Sequence, residues 1–274
     1  MVENVVVFGN CQAETLATAF QSVPGLAGGN HTYVRSFKMS DDAIAGILTD
    51  EVRDGCTLLF EQAMTTVHIS GKYDFPNARR ITFPSMDFNL LWPFRTLDKR
   101  TRPEPDFPYG RYVYGDRIIN EAVAKGLGGD DAWDYYRARS AERMPDMARL
   151  AEIEHQRWRA VEAGLDAKIS DILFAGMTRT RMFWNYNHPT RETLCQLGGR
   201  ILQAAGFAPE DDAEATALMA CVLTWQFGAN YQEPVHPLVA KRLALDWWSP
   251  DLLYRHYEEE LAFETWIRRQ IEWQ

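Results

Sequence analysis

The segment Val5-Val6-Val7-Phe8-Gly9-Asn10-Cys11-Gln12 constrains the fold more than any other part of the chain. Four apolar residues, three of them β-branched, specify a short buried strand, and the Gly-Asn pair turns the chain. Ala13 to Phe20 then reads as a helix, so Cys11 falls where a strand's carboxyl end meets a helix N-terminus. In open α/β sheets ligands bind at this edge. Free N–H groups and the helix dipole favour an anion there, which predicts a thiolate at Cys11. Gly9 permits close backbone approach, and Asn10 tolerates the dihedrals of a tight corner. The competing reading makes Cys11 a small buried residue in a βα turn.

Strand and helix signals alternate over the first ~90 residues, the pattern of βα units and of a parallel sheet covered on both faces. His31–Val34, Cys56–Phe60 and Arg80–Phe83 are the next strands, and Asp41–Val52 is a helix that Asp41 caps. Glu61 and Gln62 follow the third strand and Ser85 the fourth, so a parallel sheet brings all three to the edge that carries Cys11. Residues 98–116, rich in Pro, Tyr and charge, read as an irregular connection between an α/β sheet domain (1–97) and a mainly helical region (117–274) packed over it. In that region Asp116–Lys125, Asp130–Arg139 and Pro145–Ala163 are helices, the last with a core stripe of Met147, Leu150, Ile153 and Trp158. Met182–Tyr186 is a late strand expected to join the parallel sheet. Pro189 at a first helical position makes His188 an N-cap, and the Trp-rich remainder reads as helical.

Composition excludes several classes. A net charge of −9 argues against a general nucleic-acid binder, although a local basic pocket would suffice for an anionic cofactor. Ala217–Leu223 is the longest clean apolar run, far short of the ~18 residues of a membrane span. Met1-Val2-Glu3-Asn4 lacks the basic and apolar regions of a secretory signal, so a cytoplasmic protein with reduced thiols is expected. Cys11, Cys56, Cys195 and Cys221 have neither zinc nor redox spacing. No histidine pair has the helical spacing of a zinc site, and a metal is not expected. The dinucleotide, P-loop and hydrolase-elbow glycine signatures are all missing from the sequence.

His188 is the second informative residue. Beside a helix N-terminus its charged form is disfavoured, leaving a neutral imidazole able to accept a thiol proton. The competing reading is a capping histidine. His31 falls in a loop, His155 and His256 on amphipathic helices, His68 near the Glu61-Gln62 edge, and His236-Pro237 repeats the His-Pro helix start.

The Gly9-Asn10-Cys11-Gln12 corner and the Arg181-Met182-Phe183-Trp184-Asn185-Tyr186-Asn187-His188-Pro189-Thr190 segment resemble the WcbI-type polysaccharide biosynthesis family, as do Phe83–Phe88 and Ile169–Leu173. The resemblance spans roughly residues 3–205 and implies a coenzyme A-binding acetyltransferase that modifies capsule sugars. Cys11 is also placed like the nucleophile of SGNH-type hydrolases, so a three-layer SGNH- or flavodoxin-like fold is expected. The implied chemistry is acyl transfer from acetyl-coenzyme A to a saccharide acceptor. His188 would deprotonate Cys11 or the acceptor, and Cys11 N–H with the Gln12 or Asn10 amide would hold the oxyanion. Glu61, Gln62, Ser85 and Asn187 would orient these groups or the acceptor. Arg79, Arg80, Arg179 and Arg181, with Gly9 and Asn10, are the cofactor-binding candidates. A cysteine esterase or thioesterase would use the same pair with water, and a non-catalytic carbohydrate- or cofactor-binding protein would account for the aromatic content. Oligomeric state and acceptor identity leave no mark in the sequence.

Overall fold

The structure, a computed structural model, describes residues 4–63 and 69–273. His68 lies outside the described residues. The chain divides into two compact units that exchange segments along the sequence.

The first unit comprises residues 1–87, 155–177 and 187–228. Its centre is a parallel sheet of β1 (Asn4–Gly9), β2 (Asn30–Arg35), β3 (Leu58–Ala63) and β4 (Arg79–Pro84). The strand order is β2-β1-β3-β4, so the winding reverses between β1 and β3, as in flavodoxin-like sheets. Val6, Phe8 and Leu59 pack on one face with Val34, Leu48 and Ile69, under the helices α2 (Asp41–Ile47) and α3 (Asp50–Gly55). The opposite face meets α1 (Cys11–Phe20), where Phe20 and Phe60 rings lie 4.9 Å apart. The helices Arg191–Ala205 and Asp212–Val222 pack against α1 on that side, completing a three-layer α/β arrangement. This is the α/β class the sequence predicts.

Several local expectations are corrected. The helix expected over 41–52 is two helices: Ser40 caps the first, and the chain leaves helical dihedrals at Leu48 (ψ 59°) before Thr49 caps the second. The strand Phe183–Asn185 is not part of the parallel sheet but of a separate two-stranded ribbon. The free edge of β4 is already covered, because Thr82 N–H donates to Asp166 Oδ2 (2.8 Å) and Ala167 N–H to Thr82 O (3.0 Å). His188 is not an N-cap. Thr190 takes that position, its hydroxyl accepting from Thr193 N–H, and the helix starts at Arg191.

The second unit comprises residues 88–154, 178–186 and 229–274, and therefore contains the 98–116 connection. Asp116 caps the helix Arg117–Ala124, which packs with Gly129–Arg143 and Phe263–Glu272 around the buried rings of Tyr136 and Trp266. Residues after 228 are not wholly helical: Leu253–His256 and Glu259–Ala262 form an antiparallel hairpin, so His256 lies on a strand. In the helix Met147–Glu162, Met147 and Trp158 are buried but Ile153 is 47% exposed, outside the expected stripe. No helix among the described residues is long and apolar enough to cross a membrane.

Candidate functional site

The site lies in the first unit, at the carboxyl end of β1 beside the reversal in strand order. Gly9 is required by close approach, since a Cβ there would stand 2.5 Å from Gln62 Oε1 and 2.6 Å from Ala13 Cβ. Asn10 takes ordinary extended dihedrals and caps α1. Its Oδ1 accepts from Gln12 N–H (2.9 Å), its backbone N–H donates to Gln62 Oε1 (2.8 Å), and its Nδ2 donates to Ser85 Oγ (2.9 Å). Tyr33 Oη on β2 donates to the Gly9 and Asn10 carbonyls, both at 3.0 Å. Cys11, the first residue of α1, is thus held by three strands.

Gln12 is fully buried, and its amide is saturated. Nε2 donates to Met86 O and Asn187 O, each at 2.7 Å, and Oε1 accepts from Met86 N–H (2.9 Å) and Gln62 Nε2 (3.2 Å). Both amide hydrogens are committed, which corrects the expectation that Gln12 faces an oxyanion. Instead it ties the segment carrying His188 to the start of α1. Through that tie His188 Nε2 comes within 3.8 Å of Cys11 Sγ, with its ring 5.0 Å from Phe227. Gly228 abuts the same imidazole, and a Cβ on it would fall 2.7 Å from His188 Cδ2.

Electrostatics corrects the expected thiolate. Burial pushes the Cys11 thiol above its ordinary value, outweighing the backbone N–H groups of Cys11 and Gln12 that favour the anion. Glu14 opposes ionisation further, while Arg35 favours it. Burial also lowers His188 to about 4. At neutral pH the pair is therefore a thiol facing a neutral imidazole, not a thiolate–imidazolium ion pair.

Gln62 and Ser85 join Cys11, as the parallel register requires. Glu61 does not. Successive strand residues face opposite ways, and Glu61 sits beside Phe8 on the α2–α3 side. There its buried carboxylate pairs with Arg80 (2.6 Å) and accepts from Ser70. Arg79 is also misplaced: it begins β4, five residues and roughly 16 Å from the carboxyl edge. Its guanidinium donates to the Ala204 and Ala205 carbonyls at the end of a helix. Arg181 belongs to the second unit, among Trp184, Trp247 and Tyr254, donating to Phe183 O and Gln232 Oε1. Burial lowers it to about 10. Arg179 is exposed in the same unit.

Sequence reasoning missed Tyr33, Arg35, Phe227 and Gly228. Arg35 had a signal: as the last residue of β2 it pairs with Gly9, which puts a cation on the right edge. It is half-buried and bridges to Glu14 at 3.4 Å. Phe227 and Gly228 have no local signal, because their role depends on contacts far along the chain. Among the described residues no group of three His, Cys, Asp or Glu side chains is arranged to hold a metal.

Comparison with known proteins adds the family. No curated protein matches the chain. A solved structure of WcbI, described as a novel polysaccharide biosynthesis enzyme and as native protein without a disulfide bond between coenzyme A and one of its cysteines, superposes with a TM-score of 0.74. The match covers 100% of this chain and 90% of that one at 19% identity, which establishes a shared fold. The family model for the polysaccharide biosynthesis enzyme WcbI matches residues 4–210, a span holding both Cys11 and His188. The chain belongs to the WcbI family of polysaccharide biosynthesis enzymes.

Proposed function

We propose that this enzyme transfers an acetyl group from acetyl-coenzyme A to a sugar hydroxyl. The observation that carries the reading is the 3.8 Å approach of Cys11 Sγ to His188 Nε2 at the switch point of the sheet. The solved relative is described as free of a disulfide bond between coenzyme A and one of its cysteines, which supports coenzyme A as the partner of Cys11. The edge also fits an anionic group, since Arg35 lies near enough to Cys11 to favour its thiolate. Arg35, not Arg79 or Arg80, is therefore the phosphate contact proposed for the first unit.

Acetyl-coenzyme A supplies an activated acyl group as a thioester. With the imidazole proton on Nδ1, His188 Nε2 takes the Cys11 proton as Sγ attacks the acyl carbon, then passes it to the departing thiolate. In the second half His188 takes the proton of the sugar hydroxyl as its oxygen attacks acetyl-Cys11, and returns it to Sγ. The neutral resting pair suits this cycle, because the base begins unprotonated in each half. Cys11 N–H and the Ser85 hydroxyl, whose own hydrogen is not used in the Asn10 contact, are the proposed oxyanion donors. Asn10, Gln12, Gln62 and Asn187 position them. The reading places the enzyme in the cytoplasm, with its acyl donor.

Incubation with acetyl-coenzyme A followed by peptide mass spectrometry tests the covalent step. Acetyl on the Cys11 peptide, its loss in Cys11→Ala, and a large loss of turnover in Cys11→Ser and His188→Ala are expected. Near-normal transfer by Cys11→Ala would sink the covalent route and leave His188 acting directly on the acceptor. Acetate release as fast as transfer would indicate a hydrolase.

A further inference from the structure

The second unit contains a cavity of about 560 Å³, within the ~300–1,000 Å³ of small-molecule sites. Trp133, Tyr136, Trp248 and Phe263 form the aromatic part of its wall. Trp133 lies parallel to Tyr136 (8°, centroids 6.1 Å), Phe263 stands across both, and Trp248 is pinned by its Nε1–H donating to Tyr254 Oη (3.1 Å). Ser140 and His236 also line it, and their 3.0 Å contact resembles a nucleophile–base pair. The hydrogen bonds exclude that role. His236 Nδ1 accepts from Leu238 N–H (3.0 Å), so in the neutral ring Nε2 carries the proton and donates to Ser140 Oγ. The serine hydrogen is directed to Arg137 O (3.2 Å). No group is left to take a proton from Ser140 for chemistry.

The lining selects the ligand. Rigid, flat aromatic faces match the C–H faces of a pyranose ring. The exposed lining residues Arg137 and Glu264 bring opposite charges, each already paired within the unit, to Asp134 and Arg268. One cation and one anion together give no net attraction for a charged molecule but offer donors and acceptors to hydroxyls. The geometry points to a binding site for a neutral saccharide, a second hold on the polysaccharide that raises the local concentration of its reacting hydroxyls. This deepens the proposed function and rests on its saccharide acceptor.

Calorimetric and fluorescence titration of the full chain with maltose, cellobiose and N,N′-diacetylchitobiose tests it. Saturable binding of at least one is expected, weakened tenfold or more by Trp133→Leu and by the cavity-filling Leu238→Trp, with Cys11→Ala unaffected. Arg137→Ala, an exposed change that leaves the fold intact, should weaken binding about threefold. No binding of any of the three, or binding that all three pocket variants retain, overturns the site. Saccharide binding here with no acetyl transfer in any assay removes the transferase reading and leaves the site standing. Transfer with an unchanged acceptor KM in the pocket variants removes the site alone.

Discussion

Replacing Gln12 with leucine tests whether the buried amide joins the two halves of the candidate site. Leucine keeps the apolar bulk but removes four hydrogen bonds, at 2.7, 2.7, 2.9 and 3.2 Å. Met86 N–H, Met86 O and Asn187 O lose partners in a site where Gln12 is wholly shielded from water. An unsatisfied buried group costs about 1–3 kcal/mol, so the expected loss is about 3–5 kcal/mol after the removed amide's own desolvation is credited. That corresponds to a fall in Tm on the order of 10 °C. Urea denaturation followed by circular dichroism measures it, with separate transitions fitted if the two units unfold apart. The second readout is the iodoacetamide rate at Cys11 in a Cys221→Ser background, because Cys221 is exposed and would compete. Release of Asn187 O should loosen His188 and change that rate severalfold. A loss below about 1 kcal/mol with an unchanged rate would refute the brace, whatever the thiol's chemistry.

Gly228→Ala should cut turnover at least tenfold, since its Cβ would meet His188 Cδ2 at 2.7 Å and the glycine has φ +67°; the alkylation rate of Cys11 reports the displacement. His188 is held near 4 against an ordinary 6.5, so its contribution to stability is complete above about 6.5 and lost as pH falls through 4. Between pH 7 and 4.5, wild type should lose about 1–3 kcal/mol more than His188→Gln, as judged by denaturation midpoints; equal losses would contradict an imidazole held neutral in the fold. Glu233 in the second unit is raised to about 8 by burial and accepts from Tyr186 N–H (3.3 Å). Its stabilising effect is complete below about 4.5 and disappears as pH rises through 8. Glu233→Gln should therefore flatten the decline between pH 5 and 9, which thermal melts at the two pH values can check.

The parallel sheet was legible because its signals are local. Val5–Phe8, Cys56–Phe60 and Arg80–Phe83 are mainly apolar runs stopped by Gly, polar residues or Pro, and the structure moves their ends by one to three residues. Strand direction then brought Ser85 and Gln62 to Cys11. Face was less legible than edge: Glu61 and Gln62 are adjacent, yet one serves the site and the other pairs with Arg80 across the sheet. Helix starts were misread where two capping residues compete, Ser40 against Asp41 and Thr190 against His188, and the hydroxyl residue prevails both times. The hairpin at 253–262 was hidden because its two strands have only four residues each, too few to show an alternation. Arginines were the least legible group. Arg79 and Arg181 satisfy carbonyls and aromatic faces within their own units, a demand invisible without the packing.

The thiol itself shows how two correct local arguments can combine to a wrong sum. A helix N-terminus stabilises an anion by about 0.3–1 kcal/mol, rarely more than ~2. Withdrawing a charge from water costs more than that unless a counter-ion accompanies it. Cys11 has the N-terminus, but the cation that favours its thiolate, Arg35, is shared with Glu14, and the partner base is itself held neutral by burial. Neither member of the pair can stabilise a charge on the other at rest. At rest the site is an uncharged thiol facing an uncharged imidazole, and a proton moving from Sγ to Nε2 would create both charges together, 3.8 Å apart. Opposite charges at that separation attract each other, which offsets part of the desolvation cost of forming them. A binding partner that carries its own negative charge past Arg35 would weaken that cation's pull on the thiol, and one that displaces Glu14 from Arg35 would strengthen it. Arg35 and Glu14 thus adjust in opposite directions an ionisation that burial governs.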